Sequence, residues 1–234
     1  MYNPEPNIIK RLTGRANYAI LSANVSSGKF CKGRLISSAS QIMSFHDFEL
    51  IMKNPGLSAQ HCHLITDGIR FPVSALSEPN EDLLAHLKEH FVSNAGSIVN
   101  SAELFSETVR NITEYLSWTL GVKSSATIHY NYVGLIKPPG YEADNTLIFQ
   151  LSGRRKWKVW LPYINREHSN EELSELLSCE FILEQNDFLY LPAGYIHSLS
   201  CAQEQSLHLA CSFNTRTDNS GSDLDRNQRV LATS

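Results

Sequence analysis

The run from Asp187 to His197, read as DFLYLPAGYIH, carries the clearest chemical signal in the chain. An apolar strand leads into a turn built on Pro192 and Gly194, and His197 opens the next apolar run. Such a turn would fix an imidazole at the mouth of a barrel. An imidazole there is either a metal ligand or a hydrogen-bonded structural group, and the residues alone allow both. Two other histidine pairs compete for attention. His61 and His63 share one face of a short strand, a spacing that can bind metal, yet no further ligand is evident, so packing or surface roles are expected. His86 and His90 stand four apart, the spacing of a helical zinc pair. The glutamate of an HExxH motif is missing, and a solvated face is expected. The five cysteines (Cys31, Cys62, Cys179, Cys201 and Cys211) form an odd, scattered set with no CxxC pair. They read as reduced, mostly buried thiols of a cytoplasmic protein.

The elements that must position these groups follow from periodicity. Ser44 to Lys53 reads as a short helix, and Pro55-Gly56 breaks the chain after it. His63 to Thr66 reads as a strand turned by Asp67-Gly68. Asn80 caps an expected helix from Glu81 to Phe91. A longer helix is predicted from Ser101, with Asn100 as N-cap and Glu103 at capping-box spacing. Its apolar face is Phe105, Val109, Ile112, Leu116 and Leu120, and Gly121 closes it. From Ala126 the period changes to two: Thr127, His129, Asn131 and Val133 alternate with Ile128, Tyr130 and Tyr132. Residues 147–151 and 157–161 are strand-like, with a turn over Ser152-Gly153-Arg154-Arg155. A helical insert at 171–177 is followed by strands at 181–183, 188–191, 196–200 and 207–213. About eight short strands with hairpin turns indicate a closed barrel or sandwich. The expected organisation is an α/β N-terminal region over 1–122, a β-barrel core over 123–214 and a flexible polar tail over 215–234.

A second segment, Pro138 to Trp157, reads PPGYEADNTLIFQLSGRRKW. Here the chain resembles the JmjC-related cupins, especially their ribosomal-oxygenase and asparaginyl-hydroxylase branches. Those proteins carry a proline-led HxD motif, then a strand ending in Gln-x-x-Gly, a basic residue and often Trp. Later come a Gly/Asn-Asp-x-Leu-Tyr-x-Pro-x-Gly-x-x-His run and a closing strand similar to Ser-Leu-His-Leu-Thr. This chain shows Gln150 to Trp157, Asn186 to His197 and Ser206 to Ala210 in that order. The resemblance spans roughly residues 95 to 214. It implies a mainly β fold with a helical annex: a double-stranded β-helix of the jelly-roll, cupin and JmjC-like kind.

The resemblance also implies a site. In that family two His and one carboxylate hold Fe(II) as a facial triad, with positions left for 2-oxoglutarate and oxygen. His197 falls on the distal His. Glu142 falls on the carboxylate, one methylene longer than Asp. Gly140 falls where the first His belongs and has no side chain to ligate with. Arg155 falls on the basic residue that grips the far carboxylate of 2-oxoglutarate, and a guanidinium suits bidentate pairing. Alternation puts Arg155 on the face of Trp157, pointing inward; the competing reading is an exposed Arg in a basic hairpin. His129, on a strand that lines the cosubstrate pocket in the family, would complete a rebuilt His129, Glu142 and His197 site or hydrogen-bond the acidic ligand. Ser212, on the closing strand, would help hold the cosubstrate. His208 is expected inward without ligating, and Asp144 enters only if the Pro-Pro-Gly loop shifts register.

Composition narrows the function classes. A formal net charge of −4 over 234 residues gives no general pull toward nucleic acid or anionic lipid. No apolar run approaches the roughly 20 residues that span a bilayer, and Met1 to Pro6 lacks a signal-peptide pattern. The expectation is a cytoplasmic Fe(II)/2-oxoglutarate-dependent oxygenase that hydroxylates a protein, peptide or amino-acid side chain. The alternative is a non-catalytic binding module, for which Gly140 is the best support. A metal-using cupin with different chemistry has no specific residue in its favour. The chain runs out soon after the barrel, so the C-terminal regions of ribosomal oxygenases are expected to be missing. Neither substrate identity nor oligomeric state is legible.

Overall fold

The computed structural model describes residues 7–54, 56–57, 61–66, 69–72, 95–131, 133–161, 170–201 and 205–214. Its helices are α1 (Ile8–Ser27), α2 (Phe45–Met52), α3 (Glu107–Leu120) and α4 (Asn170–Glu175). Its strands are β1 (Cys31–Arg34), β2 (Cys62–Thr66), β3 (Ile69–Pro72), β4 (Ala95–Asn100), β5 (Ser124–Asn131) and β6 (Ile136–Gly140). They continue as β7 (Asn145–Ser152), β8 (Arg154–Leu161), β9 (Leu177–Glu184), β10 (Asp187–Leu191), β11 (His197–Ser200) and β12 (Ser206–Phe213). An eight-stranded sheet runs β1-β10-β7-β12-β5-β4-β2-β3, and a four-stranded sheet runs β6-β11-β8-β9. Every pairing is antiparallel. This is the jelly-roll architecture expected from the strand pattern.

Period-two alternation splits the large sheet into two chemical faces. Ala126, Ile128, Tyr130, Leu147, Phe149, Phe188, Tyr190, Leu207 and Leu209 pack outward against α1, α2 and α3 in one core. Ile148, Leu189, Leu191 and Ala210 turn the other way and meet Trp157, Val159, Leu183 and Leu199 of the small sheet. The second set fills the barrel. Each fully buried aliphatic or aromatic side chain adds about 1.5–3 kcal/mol over its exposed state, so both faces contribute. Among the described residues no helix is long and apolar enough to cross a membrane.

Several local expectations change. The helix predicted from Ser101 begins at Glu107, with Ser106 as the N-cap in place of Asn100. The Glu103 carboxylate does not close a capping box; it accepts from the Ala126 backbone N–H at 2.9 Å and ties a short 3-10 turn to β5. The predicted four-residue turn between β7 and β8 contracts to Gly153 alone, at φ 66°, so Arg154 and Arg155 belong to the strand. α1 has no counterpart in the sequence reading. Gly14 interrupts it at φ 78°, ψ 162°, breaking the periodicity. The Leu12 carbonyl instead accepts from the Ile36 N–H at 2.9 Å. A capping box that the sequence reading did not name closes the start of α2: Ser44 and Asp47 bond reciprocally. The expected helix at 81–91, with His86 and His90, and the polar tail from Thr215 lie outside the described residues.

Candidate functional site

Two loops bring His197 and Glu142 together. Pro192 to Ile196 forms the turn before β11, with Gly194 at φ 79°. The Gly194 N–H donates to the Glu142 carbonyl at 2.8 Å, pinning the loop after β6 onto that turn. Asn145 Oδ1 accepts from the Tyr190 hydroxyl at 2.9 Å and the Ala193 N–H at 3.2 Å, fixing the same corner from below. His197 then enters β11 opposite Gly140 of β6 and Val159 of β8. Its ring is buried at 3% exposure, and its Nδ1 lies 3.0 Å from the Tyr195 carbonyl.

A cation lies between these two side chains. Lys137 Nζ lies 2.6 Å from Glu142 Oε1 and 3.4 Å from His197 Nε2. An ammonium only donates, so His197 Nε2 is the accepting nitrogen and Nδ1–H donates to Tyr195. Burial drives the His197 pKa down to about 4, helped by the Lys137 charge and opposed by Glu142 and the Tyr195 carbonyl. The imidazole is therefore neutral with its lone pair toward the barrel mouth, the form in which His binds metal. Burial alone would raise the Glu142 carboxyl. The Lys137 ammonium outweighs it by charge and hydrogen bond, with His197 and His129 adding, and holds Glu142 below the usual carboxylate range.

Deeper in the barrel lies a guanidinium without a counter-ion. Arg155 is 2% exposed, and its Nη2 donates to Asn131 Oδ1. No carboxylate pairs with it among the described residues, and burial pushes its pKa down to about 10. Arg155 Nε, Trp157 Nε1 and His208 Nδ1 are buried polar atoms that make no hydrogen bond. Buried polar groups are nearly always satisfied, so orphans clustered beside an unpaired cation suit an absent carboxylate. The inward orientation of Arg155 beside Trp157 agrees with strand alternation, and the exposed-hairpin reading does not hold.

The other expected residues are placed as follows. The His129 ring stacks on His208, with centroids 4.6 Å apart and planes 3° from parallel. Among the described residues no group of three or more His, Cys, Asp or Glu side chains is arranged to hold a metal ion. His129 stacks on His208 and also acts by charge on Glu142. Ser212 lies on the inward side of β12, opposite Ser125 and Thr146, and makes no hydrogen bond to Arg155. His208 is inward and buried, as expected. His63 bonds Asn100 and His61 packs edge-on against Phe105, which satisfies the packing reading of that pair.

Lys137 was missed by the sequence reading. Leu199 pairs with Lys137 and His197 with Gly140, two residues on β11 against three on β6. This bulge puts Lys137 and Gly140 on the same side of β6, where simple alternation would separate them. The Lys137-Pro138-Pro139 run is the one available signal, because proline in a strand marks an edge or a bulge.

An antiparallel jelly roll with an imidazole and a carboxylate at its mouth and a buried Arg behind them defines a cupin-class barrel. Residues 107–220 match the family model of the JmjC domain. Ribosomal oxygenase 1 of Gallus gallus is 30% identical over 129 residues, covering 48% of this chain and 20% of that protein. The bifunctional lysine-specific demethylase and histidyl-hydroxylase NO66 of Brugia malayi is 32% identical over 85 residues, covering 32% of this chain and 12% of that protein. The chain thus matches about a fifth or less of the length of these relatives. YcfD, a ribosomal oxygenase from Escherichia coli solved with cobalt and 2-oxoglutarate, superposes with a TM-score of 0.59 at 15% identity. That superposition covers 91% of this chain and 62% of the other. Over residues 107–220 the chain is thus JmjC-like, and its barrel has the fold of the solved ribosomal oxygenase.

Proposed function

We propose that this chain is an Fe(II)/2-oxoglutarate-dependent oxygenase that hydroxylates a protein, peptide or amino-acid side chain. The observation that carries the reading is Arg155: a buried cation with no carboxylate partner among the described residues, in the same barrel whose mouth presents a neutral imidazole and a carboxylate. Two donors of the right chemistry are present. Glu142 and His197 already converge on one cationic atom, and a divalent ion suits that point once the ammonium leaves it. Bound there, Fe(II) would supply oxygen activation coupled to decarboxylation of 2-oxoglutarate to succinate. His197 would offer Nε2, its tautomer fixed by the Tyr195 carbonyl. Glu142 would offer its carboxylate from a loop held by Gly194. Arg155 would grip the far carboxylate of 2-oxoglutarate, with Nε–H and the Trp157 indole N–H as spare donors. The apolar wall of Trp157, Val159, Leu189 and Leu199 would keep water from the reacting atoms. A protein or peptide substrate is supported by the relatives named as ribosomal oxygenases and histidyl-hydroxylase. A cytoplasmic location is supported by five cysteines, all unbridged.

The test is succinate release after anaerobic reconstitution with Fe(II), with and without candidate peptides. Metal-dependent succinate above a His197→Ala control is expected. A barrel that binds 2-oxoglutarate but never releases succinate, with any metal, overturns catalysis. That outcome would establish the second reading, a non-catalytic 2-oxoglutarate-binding module, which Gly140 and the seated Lys137 ammonium favour.

A further inference from the structure

Lys137 sits where the family chemistry calls for a divalent ion. Its Nζ is within 2.6 Å of Glu142 Oε1 and 3.4 Å of His197 Nε2, the two remaining ligand atoms of the motif. The β6 bulge turns it toward them. Opposite His197, the space beside Gly140 is open: a Cβ there would meet nothing within 4 Å. One ligand has been lost from this mouth and a fixed positive charge has been added to it.

We propose that the Lys137 ammonium is a built-in competitor for the metal, pairing with Glu142 and His197 until a divalent cation displaces it. This rests on the metal-binding reading above. An ammonium and a divalent ion cannot share one carboxylate oxygen and one imidazole lone pair, since both need the same electron pairs and repel each other. Lys137 is able to leave: its side chain is 39% exposed, and its four-carbon stem carries the charge into water by rotation. Its only ion pair among the described residues is Glu142. The exchange conserves the logic of the pocket. With Lys137 seated, its charge cancels that of Glu142 and leaves Arg155 as the net charge. With a divalent ion seated and Lys137 withdrawn, the mouth gains one further positive charge. The dianion 2-oxoglutarate then matches the pocket charge. Metal and cosubstrate are therefore expected to load together, each favouring the state in which Lys137 is out.

The experiment is a titration of the full chain with Mn²⁺, followed calorimetrically and by loss of the free-ion electron paramagnetic resonance signal. Wild type, Lys137→Met, Lys137→Gln and the double variant Lys137→Met/His197→Ala are compared, with and without 2-oxoglutarate. Removing the competitor should tighten Mn²⁺ binding by roughly tenfold or more in both single variants, equivalent to about 1.4 kcal/mol. The double variant should lose the gain. Adding 2-oxoglutarate should tighten wild-type binding more than that of Lys137→Met, because only wild type must expel the ammonium. If wild type and both single variants bind Mn²⁺ with equal affinity, the competition is overturned while the metal site stands. If no variant binds Mn²⁺ even with 2-oxoglutarate, the metal reading falls and the competition falls with it. Weaker binding in both single variants, with unchanged melting, would make Lys137 a supporting residue and also overturn the proposal.

Discussion

Replacing Arg155 with methionine should make the ligand-free protein more stable and the 2-oxoglutarate complex weaker. The two signs come from one structural fact, a guanidinium buried without a carboxylate partner among the described residues. Burial moves its pKa from 12.5 down to about 10. A shift of that size corresponds to roughly 3 kcal/mol of penalty for staying charged at neutral pH. Methionine has similar length, no charge and no unsatisfied N–H, so that penalty disappears. It also forfeits the bond from Arg155 Nη2 to Asn131 Oδ1, worth about 1 kcal/mol. A net gain of about 2 kcal/mol remains, or roughly 4–8 °C in Tm for a chain of this size. Differential scanning fluorimetry without ligand reads that gain directly. In the complex the same substitution removes a charge-assisted pair worth about 1.5–3 kcal/mol, which weakens 2-oxoglutarate binding by roughly 10- to 150-fold. Calorimetric titration under anaerobic conditions reads the loss. A variant that melts lower and still binds 2-oxoglutarate with unchanged affinity would show Arg155 to be a structural residue and would refute the reasoning.

His197→Ala should abolish metal binding, whereas Gly140→His should strengthen it by at least roughly the tenfold to hundredfold that even supporting residues contribute. The space beside Gly140 admits a Cβ without contact, and equilibrium dialysis against Co²⁺ reads both variants. Acidification should destabilise the metal-free protein. The folded-state pKa of His197 is depressed to about 4 from 6.5. The unfolded chain therefore takes up the proton first as pH falls, and stability present above pH 6.5 is lost progressively toward pH 4. At pH 5 the loss from His197 is about 2 kcal/mol, with His208 acting in the same direction. Urea midpoints at pH 7.5 and 5 check it, and an equal midpoint at both pH values would contradict a buried neutral imidazole. Gly153→Ala should cost roughly 3 kcal/mol or more, because φ is positive there and a Cβ would run into the Gln205 carbonyl oxygen. Loss of soluble protein or a large drop in urea midpoint is the readout.

How much was legible in the sequence depended on the range of the interaction that decides each feature. The barrel strands were legible because alternation is local, and Arg155 faces inward for the same reason as Trp157. The turn that presents His197 was legible because Pro192 and Gly194 are local conformational signals. The start of α3 was not, since Glu103 bonds Ala126 across 23 residues in place of its own helix. α1 was lost at the Gly14 break, and Lys137 at a bulge whose cause lies in pairing with β11.

The motifs that signalled the fold also turn out to be mainly scaffold. The Gln150 amide donates to the Ser152 carbonyl at 2.8 Å, the Ser206 hydroxyl at 2.8 Å and the Leu207 carbonyl at 3.3 Å, locking the β7–β8 hairpin to β12. Asn186, at φ 74°, accepts from the Ala39 N–H at 2.7 Å, and Asp187 pairs with Lys32 at 3.1 Å and Arg34 at 3.3 Å. These residues hold β1 and the connection after it against β10. Changing any of them would disturb the barrel as a whole. Gly140 and Lys137 stand at the mouth, where a substitution alters chemistry and leaves the sheets intact. On the proposal made above, the Lys137 charge seated between Glu142 and His197 is the feature on which metal binding turns.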